Sequence, residues 1–181
     1  MELREGLETR RSIRKFTDKS VDREQIESII KGASWAPSWA NSQCVRFAAV
    51  DDPALKSRIA NEACDGGNTN NVNGCAVVFA LCAIPKKAGH LNGVPNKVNP
   101  KDWTMFDCGG AALALCLAAH AEGLGTVQIG HFKPEKVEEI LGVDKKGWQV
   151  VELIACGHPA EAPAPRARLG LDELMIFNSA E

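Results

Sequence analysis

The stretch Asp107-Cys108-Gly109-Gly110-Ala111-Ala112-Leu113-Ala114-Leu115-Cys116-Leu117-Ala118-Ala119 decides how the rest of the chain must be arranged. From Phe106 to Glu122 nearly every residue is small or apolar, so a helix here has no polar side to turn to water. It predicts a central helix whose alanines and glycines let neighbours approach closely, with Gly123 and Gly125 marking its end. Residues 75–84 are also apolar throughout, with β-branched residues near the middle and Pro85 as a stop, which predicts a strand covered on both faces. Residues 149–156 read as a second buried strand ended by Gly157 and Pro159, and 126–129 and 45–50 as further strands. Asp22 with Gln25 forms a capping-box pattern before Ile26, Ile29, Ile30 and Ala33, predicting a helix over 22–33. Pro53 and Pro134 each open a helix, the second closed by Gly142. With no repeat, low-complexity tract or linker, the expectation is one α+β domain over residues 1–181.

Composition removes several classes of function. The net charge of −2, with 45% hydrophobic and 24% charged residues, argues against a dedicated nucleic-acid or membrane-surface protein. No run of about 18 apolar residues is present, so no membrane span is expected. The charged start Met1-Glu2-Leu3-Arg4-Glu5 lacks the apolar stretch of a signal peptide. The seven cysteines are odd in number and form no CxxC pair. They read as buried thiols in a reducing cytoplasm, and no metal site is expected.

Four stretches carry possible chemistry. Arg10-Arg11-Ser12-Ile13-Arg14 sets three guanidiniums and a hydroxyl within five residues, which suits a phosphate because arginine offers permanently charged, bidentate donors. Pro165-Arg166-Ala167-Arg168 places two more at alternating positions, on the same side of an extended segment. Pro37-Ser38-Trp39-Ala40-Asn41-Ser42-Gln43 breaks periodicity and supplies amides that donate and accept together. Gly123-Leu124-Gly125-Thr126-Val127-Gln128-Ile129-Gly130-His131 contains no GxGxxG, so a Rossmann site is unsupported, but it offers unhindered backbone at a strand end. Each stretch alone also reads as a solvated charge cluster or a loop cap. Residues 85–103, a long polar stretch with four lysines and His90, read as a functional loop. The tail from Ala160 cannot pack on itself and is expected to lie across another surface.

In order, these pieces resemble the nitroreductase family of FMN enzymes. The match runs through Arg10-Arg11-Ser12-Ile13-Arg14-Lys15-Phe16, Ala36-Pro37-Ser38 with Asn41 and Gln43, and Asp107-Cys108-Gly109. It continues through Gly123-Leu124-Gly125-Thr126 with Ile129-Gly130 to Gly157-His158-Pro159-Ala160-Glu161, Arg166 and Arg168. The resemblance implies a mixed or antiparallel sheet flanked by helices around a buried central helix, in an intertwined homodimer. It implies FMN as cofactor, with Arg10, Arg11 and Ser12 at the phosphate and ribityl end and Arg166 and Arg168 as a second clamp. Arg14 would stabilise charge at flavin N1 and the C2 carbonyl. Ile129, Gly130 and His131 would lie beside N5 and O4, and Pro37, Ser38, Asn41 and Gln43 against the flavin of the partner chain.

The implied activity is hydride transfer from NAD(P)H through flavin N5 to a nitroaromatic, quinone or related acceptor, by a ping-pong route needing no catalytic His or Cys. The same fold leaves open reductive dehalogenation, flavin fragmentation or a non-catalytic flavin module. Trp39, where the family often has a small residue, and Cys44-Val45, where it often has Pro-Trp, are departures.

Overall fold

The computed structural model describes residues 1–179. In chain order it contains α1 (Leu3–Thr9), α2 (Arg23–Ala33), β1 (Val45–Val50), α3 (Pro53–Arg58), α4 (Gly66–Gly74), β2 (Val77–Ala83), β3 (His90–Leu91) and β4 (Val94–Pro95). There follow α5 (Thr104–Ala121), β5 (Gly125–Ile129), α6 (Pro134–Leu141), β6 (Gln149–Gly157) and α7 (Leu171–Leu174).

Four strands form an antiparallel sheet in the order β1-β2-β6-β5. All seven residues of β2 are buried, because alternate side chains enter two different cores. Phe79 and Leu81 join Ile154, α2 and α5 on one face, while Val78 and Ala80 join Val127, Leu153, Ile59 and Val137 on the other. The capping box of α2 forms, with Asp22 Oδ1 accepting from the Gln25 backbone at 2.8 Å. Pro53 and Pro134 stand in the first turns of α3 and α6, and Gly142 ends α6 in the left-handed region at φ 64.

The free edge of β5 is partly covered from within the chain. Ser12 bridges Thr126 in parallel, and Ile13 N donates to Thr126 O at 2.9 Å. Phe16 bridges Pro159, and Ala160 N donates to Lys15 O at 2.9 Å, so the N-terminal segment and the tail are stitched together next to the same strand.

Several expectations change. The all-apolar helix is not fully enclosed by the chain. Its Asp107, Cys108, Ala111, Leu115 and Cys116 side is buried, but Met105 (66% exposed), Phe106 (72%) and Leu113 (44%) form a bare stripe on which Gly109 and Gly110 also lie. Among the described residues, α5 is also the one helix long and apolar enough by length and composition to cross a bilayer. It packs instead on α2 and the sheet. Residues 85–103 are partly ordered as the β3–β4 hairpin, joined by Asn92 and Gly93, both at positive φ. α4, built of Gly-Gly-Asn-Thr-Asn-Asn-Val-Asn-Gly, and the short α7 were not anticipated.

Glu152 stands opposite Leu81 on the α5 side of β6. Burial pushes its carboxyl up to about 7. A folded-state value above the unfolded one means that ionisation of the unfolded chain erodes stability as pH rises. That loss starts near the ordinary glutamate value of 4.5, runs to about 7, and is constant above. Glu152→Gln removes the titration. Its stability relative to wild type, read by urea denaturation across this window, is expected to rise with pH and then level off. A flat difference would mean that the carboxyl ionises freely in the fold.

Candidate functional site

The arginine segment is held against β5 by a fit that only glycine permits. A Cβ on Gly125 would stand 2.6 Å from Ile13 Cγ1 and 2.8 Å from Ile13 Cβ. Ile13 is thereby buried, and Ser12 and Arg14, its neighbours in extended backbone, turn the other way. Arg10, Arg11, Ser12 and Arg14 line a cavity of about 560 Å³ whose opposite wall is Pro163, Pro165, Arg166 and Arg168. The two arginine-bearing segments, more than 150 residues apart in sequence, therefore meet in one place.

Their internal bonds leave most of the charge uncompensated. Arg11 Nη1 donates to Glu8 O and Arg10 O, both at 2.8 Å, and so caps the end of α1 while lining the cavity. Arg14 N donates to Glu161 Oε1 at 2.6 Å, fixing the backbone of the segment to the tail. Among the described residues, none of the five guanidiniums forms an ion pair with a carboxylate. Five such groups around one cavity are a donor set for a polyanionic ligand.

Ile129, Gly130 and His131 sit at the other end of β5. By the rise per residue, Gly130 is about 13 Å from Thr126, which pairs with Ser12. Ile129 is buried, and nothing lies within 4 Å of where a Gly130 Cβ would be, so the backbone there is open. The segment is tied down by two residues that sequence reasoning missed. Asn68 Nδ2 donates to His131 O at 3.1 Å, and Asp65 Oδ1 lies 3.3 Å from His131 Nε2. Both belong to the start of the unanticipated α4.

Pro37, Ser38 and Gln43 line a separate cavity of about 190 Å³ with Arg46, Asp107 and Ala111, and share no lining residue with the arginine cavity. Asn41 is exposed beside them and lines neither. Ala40, Asn41 and Gln43 all have positive φ (46, 52 and 46), a strained backbone that something must hold. Asp107 does so. Its buried carboxylate accepts from Trp39 N at 3.0 and 3.1 Å, from Ser42 Oγ at 3.2 Å and from Cys44 Sγ at 3.5 Å. A lone acid inside an apolar helix is the sign that could have revealed this role.

The thiols contribute little reactivity. Burial pushes Cys75 up to about 11 and Cys82 and Cys108 to about 12, while Cys64, half-buried beside Asp65, rises to about 11. Among the described residues, no group of three or more His, Cys, Asp or Glu is assembled to hold a metal.

The profile of the Nitroreductase family matches residues 7–158. The chain belongs to the nitroreductase family. The match contains the first arginine segment, the 37–43 loop and the end of β5, but stops short of Arg166 and Arg168. The chain is 30% identical over 178 residues to the FMN reductase [NAD(P)H] of Bacillus subtilis, spanning 93% of this chain and 70% of that one. A nitroreductase family protein of Clostridium novyi NT has the same fold at a TM-score of 0.77 and 30% identity, covering 92% of this chain and 89% of its own. A Desulfovibrio desulfuricans protein solved as a nitroreductase in complex with FMN aligns at a TM-score of 0.75 and 26% identity, covering 100% and 99%. Within this family fold, Asp107→Ala is expected to cost roughly 2–4 kcal/mol, because it leaves the Trp39 amide and Ser42 hydroxyl unsatisfied. Hydrogen exchange of residues 38–44 should accelerate with it, whereas a loss of stability without local loosening would contradict the assigned role.

Proposed function

We propose that the protein is an FMN-dependent oxidoreductase that takes reducing equivalents from NAD(P)H and passes them to a small organic acceptor. The observation that carries this reading is the convergence of five guanidiniums, without an ion pair among the described residues, at the start of β5, on the strand whose far end leaves bare backbone at Gly130. Family membership and the FMN-binding and FMN-reducing relatives support it.

Arg10, Ser12, Arg166 and Arg168 hold the phosphate, and Arg11 keeps the end of α1 against that clamp. Bonds to a charged group contribute roughly 1.5–3 kcal/mol each, so three or four supply much of the roughly 8 kcal/mol of a micromolar complex. Arg14, its backbone fixed by Glu161 and its guanidinium held only by a long 3.4 Å bond to Ser12 O, turns its side chain to the pyrimidine edge and stabilises negative charge there. The open backbone at Ile129, Gly130 and His131, anchored by Asn68 and Asp65, flanks the reactive edge of the ring. When bound, FMN would supply the hydride chemistry that links a nicotinamide donor to the acceptor in two half-reactions.

The apolar stripe Met105, Phe106, Leu113 and the exposed tail residues Leu169, Leu171, Leu174, Ile176 and Phe177 are left uncovered in the protomer. Exposed apolar area of this extent marks an interface, and a second copy is the occupant the family fold calls for. It brings Pro37, Ser38, Asn41 and Gln43 of one chain to the flavin of the other, which resolves their distance from the arginine cavity within one protomer. Trp39 then stands beside the site as a half-buried wall.

Arg10→Ala and Arg166→Ala should each weaken FMN binding roughly tenfold or more, by fluorescence titration, and leave riboflavin, which lacks the phosphate, nearly unaffected. Equal losses for both flavins would place the phosphate elsewhere. Anaerobic NADH or NADPH should bleach the yellow dimeric protein, and parallel double-reciprocal lines are expected with a quinone. Protein that stays yellow would instead be a flavin-binding module, and bleaching without quinone turnover would favour dehalogenation or another flavin reaction.

A further inference from the structure

Resting on the flavin-clamp reading, we propose that a second cavity beside the arginine cluster accepts the adenosine half of a flavin dinucleotide, so that the protein takes up FAD as well as FMN. This cavity measures about 360 Å³, within the roughly 300–1,000 Å³ of small-molecule sites. It is bounded by Thr9, His120, the 123–126 turn and the tail from Pro159 to Pro163. Arg10, Arg11 and Pro163 line both cavities, so a ligand whose phosphate lies in the first has the second immediately alongside.

The walls suit the face of an aromatic base. Ile13, Leu124, Pro159 and Pro163 are apolar, and Gly123, at φ 76, has nothing within 4 Å of where a Cβ would be. The amides of this turn are spent internally, Gly123 N on His120 O at 3.0 Å and Leu124 N on Ala119 O at 2.9 Å. What the turn presents is therefore flat peptide surface, not free donors. Glu161 also borders the cavity, but its Oε1 is engaged by Arg14 N.

The polar edge is His120, and its tautomer follows from a proton count. Thr9 Oγ1 has one proton, donated to Glu5 O at 2.6 Å. Its 2.9 Å contact with His120 Nε2 must then be a bond donated by the ring, which leaves Nδ1 of a neutral imidazole as an acceptor. The exocyclic amino group of adenine is a matching donor. The charge agrees as well: the guanidiniums of Arg10 and Arg11 line the shared edge, where a diphosphate link has to pass, and Arg14, Arg166 and Arg168 stand on the first cavity beyond it.

The test is fluorescence titration of flavin-free protein with riboflavin, FMN and FAD. FAD is expected to bind as tightly as FMN or better. Ala162→Trp fills the cavity from the tail while keeping every arginine in the chain, and should weaken FAD about tenfold while leaving FMN unchanged. His120→Phe keeps the wall but removes the acceptor, and should weaken FAD roughly fivefold with FMN again unchanged. Because FMN binding is measured on every variant, a misfolded protein identifies itself. FMN binding with no measurable FAD binding, or FAD binding that ignores both substitutions, overturns this inference alone. Failure of FMN to bind more tightly than riboflavin overturns the clamp reading beneath it.

Discussion

The missing side chain at Gly125 is the constraint on which the site depends. Because no Cβ stands there, Ile13 can seat against the strand, and the segment bearing Arg10, Ser12 and Arg14 can run along the free edge of β5. Once that segment is in place, its continuation pairs with the chain around Pro159 and Ala160, and the tail is led back over the same arginines. A packing fact one methyl group in size thus determines where two distant clusters of charge meet.

The second organising element is the difference between the two sides of α5. One side closes the core, and through a single buried carboxylate it also braces the strained loop at 38–44. The other side is as apolar as the first but stands exposed. Its composition suits burial on both sides, and within this chain only the first is covered. That is why a helix reading as fully enclosed is half bare here.

Legibility in the sequence varied with the kind of physics involved. The burial of β2 on both faces, the Asp22–Gln25 cap and the Pro- and Gly-bounded helices follow from local pattern, and all are present. α4 was hidden because its asparagines and glycines are poor helix formers, and it exists through tertiary anchoring of Asn71 and Val72. The β3–β4 hairpin carried an Asn92-Gly93 turn signature that was submerged in a polar stretch. Each arginine cluster alone was indistinguishable from a surface charge group, and their order along the chain was informative only through the family resemblance. Asp65 and Asn68 could not be found, since their role needs the position of an unread helix relative to His131.

The hairpin at 90–95 also says where the molecule can absorb change. Its tip is a two-residue turn, and its base is drawn together by the Asn96 amide on Gly89 O at 2.9 Å. Gly89 is itself pressed so close to the Lys101 carbonyl that a side chain would collide with it. The closure is therefore anchored at the stem and indifferent to what the apex holds. Residues inserted between Asn92 and Gly93 would extend outward from a fixed root, leaving both hydrophobic layers undisturbed.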